Sequence, residues 1–236
     1  SASVRGSGAS PGPSAARALA TRTLDRVLGH RKRPRGAAIV YAGTRKGTEK
    51  LAAELTQCGF RVGAYHAGME AEARTRVADA FAARELDLVV ATNAFGMGID
   101  RPDVRVVIHT QPPGSIEAYY QEVGRAGRDG DSAEAVMYFA PIDISTRRRL
   151  IEMGSGGEPA DPRQVARQWA LFRDLLRFVD AQSCRHDFVL RYFGDEAESL
   201  GGCGHCDVCD LRADAGDDPS RVERDAEVVR KALAGV

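Results

Sequence analysis

The run Gln121-Glu122-Val123-Gly124-Arg125-Ala126-Gly127-Arg128-Asp129-Gly130 sets two arginines three positions apart among glycines. Residues i and i+3 share one face of a helix, so the spacing predicts two guanidiniums offered to one partner. Guanidinium forks are permanently charged and match phosphate oxygens. Glycine lets a polyphosphate approach the backbone. The chemistry that suits such a pair is stabilisation of charge on a phosphoryl group during transfer. A solvated basic helix end would carry the same pair without that chemistry, and only the surrounding chain separates the two.

A second cluster is built from sulfur. Cys184 is followed by Cys203-Gly204-His205-Cys206-Asp207-Val208-Cys209. Four thiolates at this spacing suit tetrahedral Zn²⁺, which in so small a module would stand in for a core and supply folding energy. Metal is expected before disulfide. C-x₂-C-x₂-C also occurs around iron–sulfur clusters, but the fourth cysteine followed by proline is absent. His205 is an alternative ligand. Cys58 stands alone and reads as a small buried hydrophobe at a helix end.

The chain has 236 residues, room for one or two domains. Lys+Arg 33 against Asp+Glu 33 leaves no net charge, so any nucleic-acid contact has to come from local patches. No apolar run is long enough to cross a membrane, and no secretory leader is seen; a cytoplasmic protein with no membrane partner is expected. Residues 1–14, rich in Ser, Gly, Ala and Pro, read as a flexible linker.

From Ala15 onward, helical and strand patterns alternate. Helices are expected over Ala15–Gly29, Glu49–Cys58, Glu70–Arg84 and Ser115–Arg125, the last capped by Ser115. Strands are expected over Ala37–Tyr41, Arg61–His66, Leu86–Ala91, Val104–His109 and Ala135–Phe139. Such alternation predicts an α/β fold, a mostly parallel sheet covered by helices on both faces. Ligands of such folds gather where strands end. There stand Thr44 and Arg45, then His66, then Thr92 and Asn93 through Gly98 to Asp100, then Gln111. Each also has a plain reading: Thr44 as a helix cap, His66 as a turn histidine, the Phe95–Gly98 stretch as a flexible turn, Asp100 as a cap before Pro102.

Their joint order carries a resemblance. Val89 through Arg105, containing Ala94-Phe95-Gly96-Met97-Gly98-Ile99-Asp100, resembles motif V of RecQ-type DNA helicases. Tyr119-Tyr120-Gln121-Glu122-Val123-Gly124-Arg125-Ala126-Gly127-Arg128-Asp129-Gly130 resembles their motif VI. Ile39 to Arg45 resembles motif IV, and Tyr65-His66-Ala67-Gly68-Met69 the segment after it. Cys184-Arg185-His186 and Tyr192-Phe193-Gly194 before the cysteines resemble the family's zinc-binding subdomain.

The resemblance implies a second RecA-like motor domain over 15–153, a helical zinc-binding subdomain over 158–211, and a linker with the start of a winged-helix domain over 212–236. It implies that Gln121, Arg125 and Arg128 face the nucleotide as catalytic residues. Asp100, near the ribose, and Gly98 would join both arginines in holding the cofactor. Thr44, Arg45, His66, Thr92 and Asn93 would contact DNA. Cys184, Cys203, Cys206 and Cys209 would hold zinc. Arg101 stands where relatives often carry Lys. Arg185 and Arg191 would touch phosphates or form a solvated face. The implied activity is ATP-driven 3′→5′ unwinding of DNA, at single strands and duplex junctions, in repair and recombination.

A complete helicase also needs a P-loop and an acidic Mg²⁺-holding motif. No Gly-Lys-Thr or Gly-Lys-Ser occurs. This chain alone is therefore expected not to hydrolyse ATP. ATP and Mg²⁺ would enter only with a missing N-terminal RecA-like domain, in cis or in trans, and the chain reads as truncated at both ends. The competing classes are a non-enzymatic, zinc-anchored DNA- or protein-binding module and an RNA-unwinding relative.

Overall fold

The computed structural model describes residues 13–93, 95, 101–153, 161–195 and 201–215. Gly98 and Asp100 lie outside the described residues, as do the break at 154–159 and the winged-helix start beyond 215.

Short Val- and Ala-rich runs form five strands: β1 Ala37–Tyr41, β2 Val62–Tyr65, β3 Leu88–Ala91, β4 Val104–His109 and β5 Glu134–Met137. They make one sheet, ordered β2-β3-β1-β4-β5, with every pairing parallel. β1 and β3 are buried along their whole length, as runs of apolar residues covered on both faces must be. α1 Pro13–Leu28 and α2 Arg45–Gln57 cover one face. Leu24, Leu28, Leu51 and Leu55 meet Val40, Val90, Val106 and Ile108 there. The opposite face, with Ile39, Tyr41, Val89 and Val107, is covered by Phe81 of α3 Ala71–Ala82, by Phe95, and by Val123 and Ala126. Phe81 is fully buried, and its truncation to Ala would cost about 3–5 kcal/mol.

Two boundaries differ from expectation. Helix α1 begins at Pro13, inside the segment read as linker. Helix α4, Ile116–Val123, stops before Arg125. Gly124 follows, and Gly127 takes φ +67 while its N–H donates to the Val104 carbonyl at 2.9 Å. A Cβ at Gly127 would sit 3.0 Å from the Asp131 carbonyl oxygen, so the turn has little room for any other residue. The arginine pair thus stands on a turn, not on one helix face. Ser115 does cap α4, its hydroxyl accepting the Ala118 N–H at 3.2 Å.

By contacts the chain divides into two units. Of the described residues, those from 13 to 113 and from 120 to 138 form the sheet unit, and those from 114 to 119 and from 139 to 215 form a second unit. The second contains α5 Pro141–Met153, α6 Pro162–Asp180, α7 Arg185–Tyr192 and α8 Asp207–Ala215. The sequence reading had placed α5 with the sheet. Asp161 caps α6 through the Arg163 N–H, with Pro162 at the first helical position. Phe172, Leu175 and Phe178 are buried, and Phe178 packs on Tyr119 and Phe188 at ring-centroid distances of 5.2 and 5.5 Å. Among the described residues, no helix is long and apolar enough to cross a membrane.

Candidate functional site

The loops after β1, β2, β3 and β4 meet along the C-terminal rim of the sheet. At Gly43 a Cβ would overlap Gln111 Oε1 at 1.7 Å, so the loops after β1 and β4 touch. Thr44 caps α2, its hydroxyl oxygen accepting the Gly47 N–H at 3.0 Å. Exposed Arg45 opens the helix, and its side chain crosses Gly68, where a Cβ would stand 3.0 Å from its Cδ. A helix N-terminus with an arginine beside it suits a phosphate. The Thr92 N–H donates to the Tyr65 carbonyl at 3.1 Å, which ties the β3 loop to β2 and leaves Asn93 exposed.

His66, read as a turn histidine or as a DNA contact, is packed into the fold. Its side chain is 6% exposed, with Nε2 3.0 Å from Glu49 Oε1. The ring is buried against α2 at the start of the 66–69 turn, which the Met69 N–H closes on the His66 carbonyl at 3.1 Å.

On the same rim, Arg125 belongs to a mostly buried network. The Tyr41 hydroxyl donates to the Phe95 carbonyl at 3.3 Å and is hydrogen-bonded to the Arg125 guanidinium. Burial pushes the Tyr41 phenol well above its ordinary range. Glu122 adds to that shift, and Arg125 opposes it. His109 stacks on Tyr41, and its Nε2 lies 2.7 Å from Glu122 Oε2. Through Tyr41, Arg125 is therefore linked to the loop after β3. Gln121 and Arg128 are exposed, and Arg128 Nε reaches the Gly124 carbonyl at 3.4 Å.

Arg101 does not face a ligand. It is 5% exposed, donates to the Phe81 and Leu86 carbonyls, pairs with Asp103 at 3.0 Å, and lies over the Phe81 ring at 4.6 Å. It fastens the end of α3 to the start of β4.

In the second unit the Sγ atoms of Cys184, Cys203, Cys206 and Cys209 all lie within 4.8 Å of one another. The Cys203 N–H points at Cys184 Sγ at 3.2 Å, and the Arg185 and Cys209 N–H groups at Cys206 Sγ at 3.5 Å each. Burial first, and then the Cys184 and Cys206 sulfurs beside it, push the Cys203 thiol up to about 12. Four crowded sulfurs resist ionising together unless a cation sits among them. The donor set, spacing and N–H···S bonds fit Zn²⁺. Arg185 proves structural and not a phosphate contact. Its fork grips Asp207 at 2.9 Å through both arms, and it also donates to the Phe178, Val179 and Ala181 carbonyls at the end of α6.

Known families match both units. Residues 20–130 match the helicase conserved C-terminal domain, and residues 141–210 match the RecQ zinc-binding domain. The chain belongs to the RecQ helicase family. It is 39% identical over 171 residues to the ATP-dependent DNA helicase RecQ of Bacillus subtilis, covering 72% of this chain and 28% of that protein. It is also 39% identical over 173 residues to RecQ of Haemophilus influenzae, covering 73% and 27%. A putative ATP-dependent RNA helicase of Acanthamoeba polyphaga mimivirus is 39% identical over 178 residues, covering 75% and 31%. The chain thus spans about three-tenths of these relatives and carries a RecQ C-terminal region. Among solved structures, S. cerevisiae Dbp5 bound to RNA and ADP BeF3 superposes with a TM-score of 0.52 at 16% identity, covering 98% of this chain and 45% of that one. A DEAD box protein from Methanococcus jannaschii gives 0.50 at 23% identity, covering 63% and 38%. These establish the RecA-like fold of the sheet.

Sequence reasoning had missed Tyr41, His109 and Glu122 as partners of the RecQ arginine motif. The available signal was polar side chains at the ends of otherwise apolar strands, Tyr41 closing β1 and His109 closing β4, directly paired in register.

Proposed function

We propose that this chain is the second motor half of an ATP-dependent 3′→5′ RecQ-type DNA helicase working in DNA repair and recombination in the cytoplasm. Arg125 and Arg128 reach the γ-phosphate of an ATP·Mg²⁺ held by an N-terminal RecA-like domain, in cis or in trans, and Gln121 lines the same face. The rim formed by Thr44, Arg45, Thr92 and Asn93 meets the phosphates of the translocating DNA strand. The zinc module steadies the DNA side at the duplex junction. ATP bound between the two halves draws them together. Charge developing on the transferring phosphoryl is met by the arginines, and its loss releases the halves for the next step along the strand. The observation that carries this reading is the Arg125–Tyr41–Phe95 link, which joins the arginine turn to the loop after β3. Without a Gly-Lys-Thr or Gly-Lys-Ser the chain by itself turns over no ATP.

The test is to join the chain to a RecQ P-loop half and measure ATPase activity with and without single-stranded DNA. Activity should appear on joining, and Arg125→Ala or Arg128→Ala should lower it by about 10³–10⁵-fold, the span over which arginine fingers act. Turnover that never appears with a competent P-loop partner favours the zinc-anchored binding module. Stimulation by RNA and not by DNA favours an RNA-unwinding enzyme, the activity named for the mimivirus relative.

A further inference from the structure

Beside the four-cysteine site two more ligand atoms converge on one of its sulfurs. His186, in the first turn of α7, and His205, between Cys203 and Cys206, bring ring nitrogens within 4.8 Å of each other and of Cys203 Sγ. The two rings meet at a centroid distance of 5.1 Å and an angle of 61°.

His186 Nδ1 is buried and has no hydrogen-bond partner in the protein. Buried ring nitrogens are nearly always satisfied, so this atom calls for a donor or a cation. Charge favours the cation. Four thiolates around one Zn²⁺ leave a formal charge of about −2. The buried guanidinium of neighbouring Arg185 is already engaged by Asp207 and the carbonyls at the end of α6. Cys203 is half-buried, unlike Cys184 and Cys206, and its sulfur can share that negative charge with a neighbour. Two imidazoles and a thiolate form a donor set that suits a borderline d¹⁰ ion. His205 is exposed, which leaves a path for the ion and a coordination position for water.

We propose that His186, His205 and Cys203 form a second seat for a zinc-class divalent cation, sharing the Cys203 sulfur with the four-cysteine site. The first ion is enclosed and tight. The second is open to solvent on one side and exchanges readily, so metal content follows the zinc level around the protein.

Metal counting tests it on the whole chain. After equilibration in buffered Zn²⁺ and removal of free metal, two equivalents per chain should be found, one of them released by a mild chelator. His186→Ala and His205→Ala should each lose the labile equivalent and keep the tight one, with unchanged far-ultraviolet circular dichroism. Cadmium NMR of the Cd²⁺-loaded chain should give two signals, one for each seat, coupled through the shared sulfur. A wild-type chain that stops at one equivalent in saturating Zn²⁺ overturns the proposal. So does a second equivalent that survives in the double alanine variant. If the alanine variants unfold, His186→Asn and His205→Asn keep a polar N–H without an imidazole ligand, and retention of two equivalents there overturns it equally.

Discussion

Tyr41 and His109 lie one over the other at the ends of neighbouring strands, their rings 5.1 Å apart and 16° from parallel. The stack holds the Tyr41 hydroxyl between the Phe95 carbonyl and the Arg125 guanidinium. Tyr41→Phe keeps the stack and removes the hydroxyl. A hydrogen bond of this kind contributes about 0.5–1.5 kcal/mol, so the melting temperature should fall by a few degrees. In the joined motor, DNA-stimulated ATPase should drop about 2–10-fold, the rate equivalent of that loss, with DNA affinity nearly unchanged. Full ATPase in the variant would remove Tyr41 from the positioning of Arg125.

Arg101 is a buried fastener whose planar fork serves two carbonyls and Asp103 at once. Lysine carries the charge but not the fork. Arg101→Lys should destabilise the sheet unit by about 1–3 kcal/mol, the cost of leaving buried acceptors unmet. Chemical denaturation followed by circular dichroism reads this directly.

Asp103 gives the same fastener a pH signature. Burial pushes its carboxyl up, but the hydrogen bond and charge of Arg101, with the charge of Arg84 behind them, carry it below the usual range. A carboxylate lowered in the folded state contributes stability above its unfolded pKa, about 3.9, and loses it as pH falls through the lower folded value. Stability should therefore decline below about pH 4, and Arg101→Met should flatten that part of the curve. An unchanged acid limb in the variant would contradict the pairing.

Arg185 and Asp207 form the corresponding fastener of the zinc unit, both nearly shut off from solvent. Breaking a buried pair by removing one partner typically costs about 3–5 kcal/mol. Arg185→Ala should strip the carbonyls at the end of α6 of their donor and loosen Cys184 next to it. Faster zinc release to a chromogenic chelator is the expected readout, with the sheet unit's melting unchanged.

Removal of zinc by a strong chelator should melt α7 and α8 while the sheet persists. The small cluster there buries little beyond Cys184, Cys206 and Val208, too few apolar groups to hold the loops alone. Loss of helical signal that returns on adding Zn²⁺ is the outcome to measure.

Most of the sheet was legible because β1 and β3 are uninterrupted apolar runs and β4 is broken only by Arg105 and His109, and the Gly43-Thr44-Arg45 turn after β1 announces the rim. The second unit was harder. α5 reads Pro-Ile-Asp-Ile-Ser-Thr-Arg-Arg-Arg, with no apolar stripe, and only Asp143 and Ile151 are buried along it. α7 and α8 are under ten residues and follow or carry metal-ligating cysteines, so propensity says little about them. The helix end at Val123 was missed because the i, i+3 spacing of the arginines outweighed Gly124 in the reading. The contact of His66 with Glu49, seventeen positions away, is not legible in the sequence, because no local period encodes such a partner.

Strand β1 is the middle of the sheet, yet both its neighbours come later in the chain, β3 at Leu88 and β4 at Val104. During synthesis it leaves the ribosome with neither edge paired, and the second stays open until His109 has emerged. Parallel pairings of this separation form slowly, so the nascent segment from Ala37 to Tyr41 is where a holding chaperone should bind and where overexpression should drive inclusion bodies.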